Sequence, residues 1–265
     1  MRKPLIDDEL WALIEPLLPA PKPRRFDHPG RKPLPNRAVL SGIVFVLKTG
    51  INWDDLPTEL GWGCGKLCRE RLRDWHRAGV WEKLHRVLLA KLRGAERLDW
   101  SRAAVDSSSV RALNGGDQTG PNPTDRGRKG SKHHVLTDGH GVPLAVKLTG
   151  ANRNDITQVV PLVEAVPPVG GKPGRPRRRP QRLYADRAYD GAAKRRALRA
   201  RGIQPKIARR GQAHGSGLGI FRYVVEQAIA WLHGFKRLRL RYERTAFIHE
   251  ALLSLACCLF CFRHL

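Results

Sequence analysis

The hydrophobic period of this chain changes once, near Leu98, and that change limits the fold more than any other feature. Before it, apolar residues recur every three to four positions; after it, short alternating segments lie between turn signals. A helical region over 1-97 and a strand-bearing region over 98-265 are therefore expected as two domains. With 265 residues and 41% hydrophobic content, the chain has enough apolar surface for an ordinary core.

In the first region Asp7 is expected to cap a helix reaching Leu18. Asn36 caps a second over 37–49, with Val39, Leu40, Ile43, Val44 and Leu47 inward and Gly50 as its stop. Residues 53–60 read as a short helix, Gly61–Gly65 as a turn, and 66–77 as a helix carrying Lys66, Arg69, Arg71, Arg73 and Arg77. That order suggests a helix-turn-helix, with Lys66, Arg69 and Arg73 as DNA contacts. A helix over 80–92 buries Trp81, Leu84, Val87, Leu88 and Leu92 and ends at Gly94. Prolines between Pro19 and Pro35 exclude regular structure and display Lys22, Arg24, Arg25, Arg31 and Lys32 on an extended arm.

In the second region a strand over 103–112 precedes strands over 133–136 and 143–148, which flank the hairpin signal Asp138-Gly139. An antiparallel meander follows from these three. A helix over 156–166, a strand over 182–185, a helix over 192–201, a strand over 204–208 and a helix over 220–235 complete an α/β mixed sheet flanked by helices. The Pro- and Arg-rich stretch Gly170–Arg182 reads as a mobile surface loop, and Gly211–Gly219 as a hinge.

The 49 Lys+Arg against 24 Asp+Glu leave a formal charge of +25, a self-repulsion that a polyanion relieves. Nucleic acid is the first partner to consider; basic ribosomal and membrane-surface proteins share the arithmetic. No stretch reaches the roughly 18 to 20 consecutive apolar residues of a bilayer span, and no apolar signal core follows Met1–Lys3. A cytoplasmic protein without a membrane partner is expected. The five cysteines lack a disulfide pattern and read as reduced thiols; Cys64, Cys68 and His76 make an irregular zinc set.

Chemistry concentrates on acids. Asp106 lies within Ala-Val-Asp-Ser-Ser-Ser-Val, among β-formers that disfavour a carboxylate locally, and Asp186 closes Leu-Tyr-Ala-Asp. If their strands are neighbours, the two meet as hard oxygen ligands suited to Mg²⁺. Glu226 is the third candidate. Its helix is expected to bury Ile220, Val224, Ala228, Trp231 and Phe235, with Arg222, Glu226 and His233 on a second stripe. Arg222 there orients Glu226, contacts phosphate, or makes a plain ion pair. Asp190 reads as an N-cap, and Asp117, Asp125, Asp138 and Asp155 as turn residues. Lys129, Lys132, His133 and His134 are further candidates for phosphate contact.

The chain resembles the DDE transposases of bacterial insertion sequences, in the insertion-sequence-five group. The carriers are Ala-Val-Asp106-Ser-Ser-Ser-Val, Thr-Asp-Arg-Gly-Arg-Lys-Gly-Ser-Lys-His-His at 124–134, Gly-Ala-Asn-Arg-Asn-Asp at 150–155, Tyr-Ala-Asp186-Arg-Ala-Tyr-Asp and Arg222-Tyr-Val-Val-Glu226. Trp-Asp-Asp-Leu-Pro and Ala-Gly-Val-Trp-Glu resemble that group's helical DNA-binding portion. The resemblance implies a ribonuclease-H-like sheet preceded by an all-α, helix-turn-helix-like domain. It also implies a triad of Asp106, Asp186 and Glu226 on two Mg²⁺ or Mn²⁺ ions. The implied partners are double-stranded DNA, as element ends and target, and a second copy of the chain on the bacterial nucleoid. A non-catalytic DNA-binding regulator descended from such an enzyme is the alternative.

Overall fold

The computed structural model describes residues 4–20, 26–28, 32–209 and 219–265, so the arm's Lys22, Arg24, Arg25 and Arg31 and the stretch 210–218 lie outside the described residues. The Asp7 carboxylate accepts the Leu10 N–H at 2.8 Å and starts α1 (Asp8–Ile14), which ends in a 3-10 turn. In α2 (Asn36–Thr49) Asn36 is the first helical residue rather than the cap, and Gly50 ends the helix at φ 77°. Residues 53–60 form two single 3-10 turns instead of a helix, because Pro57 lacks an N–H and pushes Leu56 into extended backbone. α3 (Gly65–Arg77) and α4 (Val80–Gly94) follow.

The second region contains β1 (Arg102–Ala112), β2 (Gly120–Pro121), β3 (Lys129–Asp138), β4 (Pro143–Gly150), α5 (Val159–Ala165), β5 (Arg182–Ala185), α6 (Ala192–Ala200), β6 (Gln204–Ile207), α7 (Gly219–Leu232), β7 (Leu240–Arg241) and α8 (Ala246–Arg263). β1, β3 and β4 form the expected antiparallel meander, while β5 runs parallel to β1 and β6 parallel to β5. This order, a meander followed by two parallel strands added on the other side of the first, is that of a ribonuclease-H-like sheet. β2 and β7 are two-residue additions pairing with β3 and β1. α7 and α8 cover one face and α5 the other, so the sheet is a middle layer.

α8 had no periodic signal to betray it, because it is apolar nearly all round. It is long and apolar enough to cross a bilayer by length and mean hydropathy, although His249 and Glu250 break any run of consecutive apolar residues, and 67% of it is buried within the protein. Packing accounts for that composition: α3, α4, α7 and β4 all lie against it. One continuous core therefore runs from Ile6 through α2 and α4 to Cys261. Cys257, Cys258 and Cys261 are free, buried thiols in this core. Cys68 is likewise buried, its thiol directed at the Val39 carbonyl, and it does not converge with Cys64 and His76 on a metal site.

Candidate active site

β1 and β5 register Arg102 with Arg182 and Ala104 with Tyr184. Asp106 and Asp186 stand at that same chain offset, and Asp186 keeps an extended backbone (φ −80°, ψ −176°) beyond the end of β5. Continuing the ladder by two residues sets the two acids side by side on one face, because alternate residues share a face. α7 lies over that face. Its Phe221 ring packs on Tyr184 with centroids 4.8 Å apart and under the Arg102 guanidinium at 5.4 Å. Of the expected stripe, Ala228 and Phe235 are buried and Val224 and Trp231 half-buried, but Ile220 is 81% exposed, and Val225 and Leu232 complete the buried face. Phe221, not Ile220, takes the sheet contact, so the helix turns to place Arg222 inward. Trp231, partly buried, packs edge-on against Phe235 and Phe260.

Arg222 joins the candidates. Its guanidinium lies 3.5 Å from Asp106 and 3.7 Å from Glu226, with side-chain exposures of 19%, 22% and 55% in that order. Burial raises the Asp106 carboxyl above its ordinary value; the Ser107 N–H and Arg222 oppose this, while Asp186 and Glu226 push it further up. Asp106 Oδ1 accepts the Ser107 N–H at 2.8 Å, and Asp186 Oδ1 accepts the Ala188 N–H at 2.9 Å. Each of the two aspartates thus has a fixed orientation. Their hard oxygens fit a divalent cation. Among the described residues no three acids or histidines already stand in metal-binding geometry, and the guanidinium fills the space between Asp106 and Glu226.

Several predicted residues have other roles. Asp155 is not a turn residue alone: its Oδ1 accepts from Ser107 Oγ at 2.8 Å and from Lys132 Nζ at 2.9 Å, behind Asp106. Lys132 is consumed there and at the Arg153 carbonyl, which leaves it a poor phosphate ligand. His133 and His134 are only 2% and 0% exposed and cannot touch DNA. His134 bonds Thr149, and burial lowers its pKa to about 4, so it is neutral. Lys129 remains exposed, as do Lys66, Arg69 and Arg73 on α3, where their spacing puts them on one side. Asp190 pairs with Arg195 instead of capping α6, whose cap is Gly191. Asp138 does follow turn chemistry, accepting the N–H groups of Asp99, His140 and Val142, although burial raises its carboxyl to about 6.

Sequence reasoning missed a buried polar chain. Arg237 donates to Glu243 at 2.8 Å and to the Ile51 carbonyl at 2.7 Å, beyond the end of α2. Glu243 meets His249 Nδ1 at 3.2 Å, and His249 Nε2 meets His133 Nε2 at 2.8 Å. Burial would raise the Glu243 carboxyl, but His249 and Arg237 outweigh it and hold it at about 2. The run Lys236–Glu243 looks like a solvated charged stretch; no local signal separates the buried Arg237 and Arg241 from the exposed Arg239 between them.

Residues 99–261 match the transposase DDE domain family, and the chain belongs to it. More narrowly, residues 6–85 match a family described as "Putative transposase of IS4/5 family". The chain is 56% identical over 172 residues to the "Putative transposase for insertion sequence element IS402" of Burkholderia cepacia, covering 65% of this chain and 81% of that protein. It is 64% identical over 123 residues to the "Insertion element IS402 uncharacterized 16.2 kDa protein" of the same organism, covering 46% of this chain and 84% of that one. Among solved structures, the "Crystal structure of the Mos1 Strand Transfer Complex" overlaps 89% of this chain and 76% of its own, at 11% identity and a TM-score of 0.39.

Proposed function

We propose that the chain cuts the ends of an insertion sequence to give a 3′-hydroxyl and joins that hydroxyl to target DNA. The observation that carries this reading is the side-by-side placement of Asp106 and Asp186 beneath the Arg222 and Glu226 of α7. Asp106, Asp186 and Glu226 would hold two Mg²⁺ or Mn²⁺ ions, which supply charge neutralisation at the phosphate and activation of the attacking water or hydroxyl. Glu226, with 55% of its side chain exposed against 22% for Asp106, has room to turn its carboxylate toward the aspartates. Arg222 neutralises the acids before substrate enters and, on leaving them, is placed to grip a phosphate oxygen. Asp155 positions β1 from behind through Ser107, with Lys132 holding Asp155 in turn.

Residues 1-97 serve as the DNA-binding domain, with Lys66, Arg69 and Arg73 of α3 toward the element ends, and 98-265 as the catalytic domain. Two ends joined in one reaction call for at least two copies of the chain. The test is incubation of labelled element-end duplex with Mg²⁺, beside Asp106→Ala. Cleavage by the wild type alone supports the reading. Equal binding with cleavage by neither indicates a DNA-binding regulator.

A further inference from the structure

The segment from Gly170 to Arg182 carries Lys172, Arg175, Arg177, Arg178, Arg179 and Arg182 and no acid. It enters β5 at Arg182, whereas Asp186 leaves β5 at the other end. The four residues of β5 hold them roughly 13 Å apart along the strand. The arginines are thus outside the carboxylate site.

The segment is not the mobile loop its composition suggests. Val169 and Arg177 exchange backbone hydrogen bonds at 2.8 and 3.0 Å, and the Gln181 N–H reaches the Trp100 carbonyl at 3.0 Å. Gly171, at φ +93°, lies so close to the Ala90 carbonyl of α4 that any Cβ would collide with it. Arg93 of the same helix donates to the Val169 carbonyl. The backbone is therefore set before any ligand arrives, which lowers the ordering cost of binding.

The side chains are exposed and short of partners. Lys172 pairs with Glu96, and Arg179 donates to the Arg201 carbonyl. Arg175, Arg177 and Arg178 have no acidic partner among the described residues. With Pro168, Pro176 and Arg179 they line a concavity of about 530 Å³; a neighbouring concavity shares Arg178 and Arg179 and ends at Arg201, whose charge is met by Glu164. Crowded guanidiniums repel one another, and their planar donor forks match phosphate oxygens. The segment has no aromatic side chain on which an unpaired base could stack and no apolar side chain larger than proline to enter a membrane.

We propose that this surface is a second duplex-DNA site, gripping backbone phosphates at the sheet end opposite the reacting phosphodiester. It rests on the transposase reading only for the presence of DNA. The test is binding of an unrelated duplex to the full chain across a salt series, using wild type, R175A/R177A/R178A and R175K/R177K/R178K. Each lost phosphate contact flattens the slope of log K against log salt by about 0.9, so the alanine variant should be shallower by about 2 to 3. The lysine variant should keep a slope near that of the wild type. If the thermal midpoint of the triple variant falls, R175A/R178A takes its place, with an expected flattening of about 2. An unchanged slope in a folded alanine variant overturns the proposal. So does a loss confined to single-stranded RNA or to phosphatidylserine vesicles. Failure of the catalytic reading would appear separately, as cleavage by D106A at the wild-type rate.

Discussion

The two ends of the β1–β5 pair are chemical opposites. At one, Asp106 and Asp186 stand together with Glu226 nearby and Arg222 as the cation in contact. At the other, six cations are displayed, of which only Lys172 has an acidic partner among the described residues. Asp106 is partly buried on the sheet, which raises the cost of its charge. The arginines are exposed on a braced loop, where charge is cheap to solvate but crowded. Between these extremes, Arg237, Glu243 and His249 form one buried chain in which the carboxylate meets both bases. One short strand therefore separates chemistry that needs desolvation from attraction that works through solvent.

The contrast is broken most severely at the acid end. Asp106→Asn should reduce strand cleavage by about 10³-fold while leaving duplex affinity and the thermal midpoint near wild type, since it removes charge from the reacting centre only. Activity and anisotropy on one preparation check this. Next, Glu243→Ala should lower stability by roughly 3 kcal/mol in denaturant unfolding, because the buried Arg237 and His249 would lose their shared carboxylate. A loss below about 1 kcal/mol would mean the interior tolerates lone charge as the surface does.

Smaller effects sharpen the picture. Burial lowers His134 from its ordinary 6.5 to about 4, so the folded state resists its protonation. Its contribution is complete above about 6.5 and is lost as the pH falls toward 4. The thermal midpoint should drop through that window, and His134→Gln should flatten the drop. Smallest is Arg69→Ala on α3. If Arg69 reads a base edge, it should cost about 1 to 3 kcal/mol on element-end DNA alone, whereas the arginine-loop variants should lose affinity equally for every duplex sequence.

Much of this was legible in the chain. The caps at Asp7 and Gly50, the meander around Asp138-Gly139 and the limits of β5 follow from local turn and period rules. The pairing of Asp106 with Asp186 was legible only conditionally, since nothing local states that β1 and β5 are neighbours. α8 was missed because helices buried on every side show no amphipathic period. His133 and His134 were misread for a related reason. Adjacent residues in a strand face opposite layers, and both layers here are covered, so two polar neighbours are buried together.

By itself, the sequence determined the helical and strand-bearing halves, the acids able to serve as ligands and the excess of cations that calls for a polyanion. These are properties of period, side-chain chemistry and count, which need no neighbour in space. Tertiary structure alone decided that Arg222 lies between Asp106 and Glu226, that Asp155 braces β1, and that Arg237 and Glu243 are interior while Arg175, Arg177 and Arg178 stay outside. The reason is physical: the cost and use of a charge depend on its solvent and partners, and packing supplies both from residues distant along the chain.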